Sequence, residues 1–428
     1  MTVRGAVFLG IGAMVGAGIF ALLGEAATVA GSAVWLSFLL SGTVAALLGY
    51  TVAKLGVRYP SSGGLIAYLV EGFGNGRLVG IAAWLGYFSA IVIVCSMVAV
   101  SFGSYAVALF LPDATWGGWD NVFTTVIVLA MVGINLVGSK IVDRAQSLIV
   151  VVLLAVFAVF IVVTISDIHP HLLAFSGYPP ATDIVASVAL TFFAYLGFSV
   201  ISFAAGDLRD PTRELPRAMY LALAVTTVLY VLIAVGVFGT LTVEQAIGYG
   251  ETAIAEAARP ALGEFGFVMM AVAALLATAS TVNASLYASG GLTSTLAGVG
   301  QFPRFFGRSS RLGPHAGVLI TAAIVLVVSN VVDLAAIASV GSACSLMVFL
   351  LVGIAGFRLR RETASQAAII VVAVAATAIV LAFFAVDTAR NAPETFTAMV
   401  AITALCVVLD LAWKRARGPA QPSAAQPS

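Results

Sequence analysis

The sequence predicts an all-α polytopic membrane protein with 12 transmembrane helices, and three observations carry that prediction. Of 428 residues, 61% are hydrophobic and only 9% are charged, against about a quarter charged in soluble domains. Mean hydropathy is +1.10. The 20 basic and 19 acidic residues gather in clusters between long apolar runs, many of them near the roughly 20 residues that a helix needs to cross a bilayer. Polar surface is too scarce to cover several aqueous domains. A disordered chain, a coiled coil, a secreted disulfide scaffold and a nucleic-acid binder are therefore excluded. The runs lack period-two alternation and are too long for barrel strands.

In chain order, the first five runs lie near 5–29, 32–56, 79–110, 122–138 and 146–166. Seven more lie near 184–206, 217–241, 264–297, 316–331, 334–357, 366–386 and 396–413. The 122–138 and 316–331 runs are the short ones. The first run continues into a second span, which is not the pattern of a cleaved leader. Basic loop residues test the count, because they concentrate on the cytoplasmic side. With the N-terminus inside, 18 of the 20 lysines and arginines fall inside; only Arg259 and Arg390 fall outside. The outer loops hold Asp113, Asp120, Asp167, Asp183, Glu244, Glu251, Glu256, Asp333 and Asp387. A wrong count would scramble this asymmetry, so both termini are expected in the cytoplasm and the chain in the cell membrane. Residues 1–413 then form one transmembrane domain. The Pro-, Ser- and Ala-rich end of 414–428 forms a disordered cytoplasmic tail. The longest outer loop, 242–262, is expected to hold a short surface helix.

The remaining residue types narrow the chemistry. Cys95, Cys344 and Cys406 each sit inside an apolar run, which reads as packing rather than disulfides or metal ligation. His169, His171 and His315 fall in loops, where none suits a membrane proton relay. No cofactor or metal site is implied. ATP-driven transport is excluded by the lack of a GxxxxGK[ST] string, and hydrolytic chemistry by the lack of HExxH or of GxSxG with a histidine on another span. Whatever the protein does, it does between membrane helices.

Two spans carry signs of interruption. GAMVGAGIF at 12–20 places Gly16, Ala17 and Gly18 mid-span. Gly12 and Gly16 alone would favour close helix packing, but a Gly-Ala-Gly triplet defends helical geometry poorly. FFAYLGFSV at 192–200 puts Gly197 among aromatics in the sixth span. Paired interruptions in corresponding spans point to a transporter of two inverted five-helix repeats, here about 1–166 and 184–357, with two further helices at about 366–413. Backbone N–H groups freed at such a break attract a carboxylate, and freed carbonyls attract an ammonium or a cation.

These strings resemble the amino acid–polyamine–organocation (APC) superfamily, and within it the ApcT-like prokaryotic amino acid permeases. DLRDPTRELPRAM at 207–219 is similar to the superfamily's segment between helices six and seven. YPSSGGLIAYL at 59–69 is similar to its re-entrant stretch, and TVNASLYASGGLTSTLAGVGQFPRFF at 281–306 to the end of helix eight and its loop. The resemblance covers essentially the whole chain. It implies a LeuT-like 5+5 inverted repeat with discontinuous helices 1 and 6, and a permease working by alternating access. By the same resemblance the substrate carboxylate meets the N–H groups of Ala17, Gly18 and Ile19, next to Gly16. The amine meets carbonyls of Met14, Phe193 and Leu196, next to Gly197, and Phe193 is the lid.

Three departures from the family shape the expected chemistry. Ala17 stands where many members have Ser or Thr, which removes a hydroxyl from the carboxylate's partners. Ser199 stands where many have Asp or Glu, which disfavours cationic substrates. Leu153 aligns with a helix-five lysine, and leucine cannot exchange a proton. Small neutral L-amino acids are the expected substrates, moved by exchange or proton-coupled symport. Glu25, about seven residues beyond Gly18, reads equally as a functional carboxylate and as a gate or packing partner. Asp207, beside Arg209 and Arg213, reads as an inner-gate or salt-bridge residue. Ser280, Thr281 and Asn283 can offer oxygens to Na⁺, though such residues more often bond between helices. Met97, Ser101, Tyr195, Ser342 and Cys344 are further lining candidates. The alternatives are a Na⁺-coupled amino acid symporter, a cationic amino acid or polyamine carrier, and a non-transporting amino acid sensor or channel on the same fold.

Overall fold

In a bilayer every backbone N–H and C=O must find its partner within its own segment or a close neighbour, and this chain meets that demand with helices. The computed structural model describes residues 2–61, 64–137, 142–307 and 315–417. In order these form α1 (Val3–Ala17), α2 (Ile19–Ala30), α3 (Val34–Arg58), α4 (Gly64–Phe73), α5 (Arg77–Tyr87) and α6 (Val94–Phe110). Next come α7 (Trp119–Val137), α8 (Val142–Ser166), α9 (Ala181–Phe193), α10 (Pro211–Thr240), α11 (Val243–Tyr249) and α12 (Ala253–Ala257). The chain ends with α13 (Arg259–Gly298), α14 (Ala316–Val331), α15 (Leu334–Arg358), α16 (Ala367–Asn391) and α17 (Pro393–Arg417). Lys140, Arg308, Arg311, part of the 59–69 string and the tail from 418 lie outside the described residues.

Among the described residues nine helices are long and apolar enough to cross a membrane, or ten counting a pair bent by 42°, Ala181–Phe193 with Leu196–Ser202. Two lengths explain the distance from the twelve runs read in the sequence. The first run is divided at Gly18 into helices of 15 and 12 residues, and α14 has only 16. Between α2 and α3 the chain turns at Gly31, whose φ of 53° and ψ of −138° lie in a region that side chains disfavour. The stretch after α3 forms α4, whose 10 residues reach about 15 Å, half a bilayer core. α5 and α6 are one continuous apolar run, Arg77–Phe110, carrying a π-helical insertion at Phe88–Ile93.

Packing builds a bundle around α1. That helix lies against α10, α13 and the 3₁₀ segment Leu196–Asp207, while α3 lies against α10 and α9. Lipid supplies no hydrophobic drive between helices, so close approach of small residues supplies the contact instead. The loop expected to hold one surface helix holds two, and both are docked. Thr242 and Gln245 form a capping box at the start of α11, and Ala246, Ala253, Ile254, Ala255 and Ala257 are buried. The loop rests on α2, where a Cβ at position 24 would come within 2.9 Å of the Gly250 carbonyl carbon. Arg259, one of the two basic residues of the acidic face, donates to Glu256 at 2.7 Å, bonds Glu264 and lies 4.0 Å over the Phe267 ring.

At the arginine-rich face the last helix is fastened to the rest. Asp410 is fully buried and pairs with Lys414 at 2.9 Å. Lys414 also donates to the Gly76 carbonyl at 3.1 Å, and Trp413 donates to the Gly300 carbonyl at 3.1 Å. Gly80 leaves room for the pair, since a Cβ there would lie 2.5 Å from the lysine nitrogen. Gln301 completes the corner by bonding Asn75.

Candidate functional site

The first break is one residue wide. α1 ends at Ala17, Gly18 adopts φ −112° and ψ −69°, and α2 begins at Ile19. The first bond of α2 runs from Leu22 N–H to the Gly18 carbonyl at 3.0 Å. As at any helix end, the N–H groups that open α2 lack an acceptor, and the carbonyls that close α1 a donor, within their own helix. A helix N-terminus of this kind draws an anion, and the facing carbonyls draw a cation. Met14 and Ile19 are fully buried beside it. The side chain of Ala17 lies outside the described residues.

The second break begins where α9 stops at Phe193. Ala194 and Tyr195 donate back to Thr191 and Phe192 at 3.2 and 2.9 Å, tightening the last turn. The chain then continues as a 3₁₀ helix, Leu196–Asp207. Aromatic hydroxyls stabilise the bend: Tyr230 donates to the Ala194 carbonyl at 3.3 Å and Tyr195 to the Phe38 carbonyl at 2.9 Å. Ser199 donates to the Leu196 carbonyl at 2.9 Å. Phe193 is fully buried and Leu196 nearly so.

The two breaks meet backbone to backbone. A Cβ on Gly18 would lie 2.6 Å from the Ala194 Cα, and one on Gly197 would lie 2.5 Å from the Ala13 carbonyl carbon and the Met14 nitrogen. Each interruption therefore seats its glycine on the other helix. Gly16 faces α13 instead, against Thr281 and the Ala277 carbonyl, the latter 2.9 Å from a Cβ at 16. The structure thus brings Met14, Gly18 and Gly197 to one crossing, with Ile19, Phe193 and Leu196 beside them in the chain, while Gly16 packs on α13.

The coupling candidates divide. Thr281 reaches the first break, with its hydroxyl bonded to the Ala277 carbonyl at 3.0 Å. Asn283 does not: it accepts from Asn135 of α7 at 2.9 Å. Two residues of separation turn a helix by roughly 200°, so the Thr281 and Asn283 oxygens point to opposite sides of α13. Leu153 is buried on α8, one turn before Phe157. The Phe157 ring stacks on Phe20 at 5.4 Å, just past Gly18. Tyr195 and Ser342 spend their hydroxyls on backbone carbonyls, of Phe38 and Ala338. The Asp207 side chain lies outside the described residues.

Glu25 stands apart from the crossing. It lines a cavity of about 330 Å³ with Thr28, Asp183, Ser339, Asp387 and Asn391, among others. Asn391 donates to Asp387 at 2.7 Å and Thr182 to Asp183 at 2.9 Å. Glu251 of the docked loop is half-buried, and the loss of solvent pushes its carboxyl above the ordinary range; Asp120 adds to the rise and the Ser104 hydroxyl opposes it. Sequence reasoning missed the roles of Ala194 and Tyr230 at the second break. Neither has a local signal, because the bond that unites them spans 36 residues.

Comparison with known proteins now identifies the scaffold. The amino acid permease family matches residues 2–409. The inner membrane transport protein YbaT of Escherichia coli is 32% identical over 366 residues, covering 86% of this chain and 85% of that protein. The methylthioribose transporter of Bacillus subtilis is 29% identical, over 83% of this chain and 79% of its own. The serine/threonine exchanger SteT of the same organism is 28% identical, over 65% and 63%. In fold, the chain matches the crystal structure of a manganese transporter from Eremococcus coleocola with a TM-score of 0.62. That match has 14% identity and covers 96% of this chain and 93% of the other. The chain therefore belongs to the amino acid permease family of the APC superfamily, and is a multi-pass membrane transporter rather than an enzyme.

Proposed function

We propose that this chain is a secondary transporter of small neutral L-amino acids, working by alternating access around the crossing of Gly18 with Ala194 and Gly197 with Met14. The observation that carries the reading is that crossing: two helix termini offer backbone dipoles of both signs at one buried point, which suits a zwitterion with no charged side chain. The substrate carboxylate takes the N–H groups of Ala17, Gly18 and Ile19. Its amine takes carbonyls of Met14, Phe193 and Leu196, and Phe193 closes over it. Residues 1–413 form one domain of twelve spans, with inverted repeats at about 1–166 and 184–357 and both termini in the cytoplasm. The 18-to-2 division of basic residues supports that topology.

Exchange is the favoured mode. Leu153 removes the lysine through which relatives could move a proton, and the divergence of Thr281 from Asn283 argues against a Na⁺ site built from both. The likeness to a serine/threonine exchanger supports the same reading. Reconstituted protein in liposomes tests it, with labelled alanine or serine outside. The expected result is uptake that depends on unlabelled amino acid inside. Accumulation in empty vesicles under a proton or Na⁺ gradient would replace exchange by symport. No uptake of either amino acid under any condition, with uptake of methylthioribose instead, would overturn the amino acid reading.

A further inference from the structure

We propose that Gly341 on α15 is a specificity-determining position of this transporter, the seat against which the Phe193 ring docks. The inference rests on the reading of Phe193 as the lid, and it adds a residue that no motif points to. The geometry is direct. A Cβ at position 341 would lie 2.6 and 2.9 Å from Cε2 and Cζ of Phe193, and 2.5 Å from Cγ2 of Ile93. Real Cβ contacts do not come that close, so only a glycine lets the ring and the isoleucine share this point.

Three elements converge there. Phe193 is the last residue of α9 before the second break. Ile93 is the last residue of the π-helical insertion, a device that places an extra residue within a helix and is frequent at functional sites. Gly341 lies in the first half of α15 among buried neighbours, Val340, Ser342, Ala343 and Cys344. The ring is fully buried and Ile93 occupies the adjoining space. A methyl on α15 therefore pushes the ring away from α15 and back over the break, where the substrate side chain is proposed to lie. The size of the group at 341 thereby sets how much side chain the site accepts.

Initial-rate uptake of labelled alanine and leucine into liposomes, measured as the leucine-to-alanine KM ratio, tests this. Gly341→Ala is expected to raise the ratio by fivefold or more. Adding Phe193→Leu to that variant should reverse the rise, because leucine lacks the Cε2 and Cζ atoms that collide. Ile93→Ala opens the seat from its other side and should lower the ratio, which keeps the proposal testable if Gly341→Ala does not fold. A ratio within twofold of the parent in both single variants, while Phe193→Leu alone shifts it, overturns the role of Gly341 and leaves the lid standing. A ratio unmoved by Phe193→Leu as well overturns the lid and the present inference with it. Failure of the added Phe193→Leu to reverse the Gly341→Ala effect also overturns the proposal.

Discussion

At the scale of single residues, the crossing turns on atoms that are absent. Gly18→Val is expected to abolish amino acid uptake while the protein still inserts, because its Cβ has no space beside Ala194. Overpacking of this kind costs about 1–3 kcal/mol, enough to part the two breaks without unfolding a large bundle. Uptake assays with a membrane-expression control check it, and parental uptake would remove the proposed site. Leu153→Lys makes a riskier test. Leu153 is 3% exposed, and a lysine ammonium loses stability when buried. Its charge is therefore expected to bring a pH dependence to uptake; the rate between pH 5 and 8 measures this, and an unchanged profile would detach α8 from coupling. Residues within the glycine strings were legible in the sequence because they act locally. Gly341, Ile93 and Tyr230 were not, since each matters through a contact with a distant helix.

At the scale of elements, the docked loop carries the clearest pH consequence. Glu251 sits outside the spanning helices and its carboxyl is raised from 4.5, chiefly by burial. A raised acid binds its proton more tightly in the docked state than in the free one. Docking is therefore most stable below pH 4.5 and weakens as pH climbs from there through the raised value. Hydrogen exchange of residues 242–258 should quicken from pH 5 to pH 7.5 by more than the intrinsic rate, and Glu251→Gln should remove the excess. No excess in the parent protein would mean that the carboxyl stays solvated. Sequence reasoning expected one helix lying on the surface here. It missed the docking because Gly24 and Gly250, the residues that permit it, are far apart in the chain. The Gly18 interruption shows the reverse case, a local triplet whose effect on its own helix was readable.

At the scale of the whole molecule, the last two helices are structural partners of the bundle. The fully buried Asp410 depends on the partly exposed Lys414, and removing the lysine strands a buried carboxylate charge. Lys414→Met is expected to destabilise the protein by about 3 kcal/mol, seen as a lower Tm in a thermal-shift measurement in detergent. A Tm within one or two degrees of the parent would mean that water or Gln301 already serves Asp410. The pair was not foreseen, because four residues of helical spacing place Asp410 near Lys414 without saying that the carboxylate will be buried beside Gly80 while the lysine stays partly exposed.

By itself the sequence determined that the chain lives in a bilayer, that it is helical, and that its first and sixth apolar runs are interrupted near Gly18 and Gly197. Hydropathy, basic-residue placement and glycine act over one span, so one span's sequence is enough to read them. Only the tertiary structure decided that the two interruptions touch, that Thr281 reaches the first break while Asn283 turns to α7, and that Glu25 belongs to a separate acidic cavity. Helix rotation and crossing angle are set by where small residues let neighbouring backbones approach. That is a property of pairs of helices, which no single stretch of sequence contains.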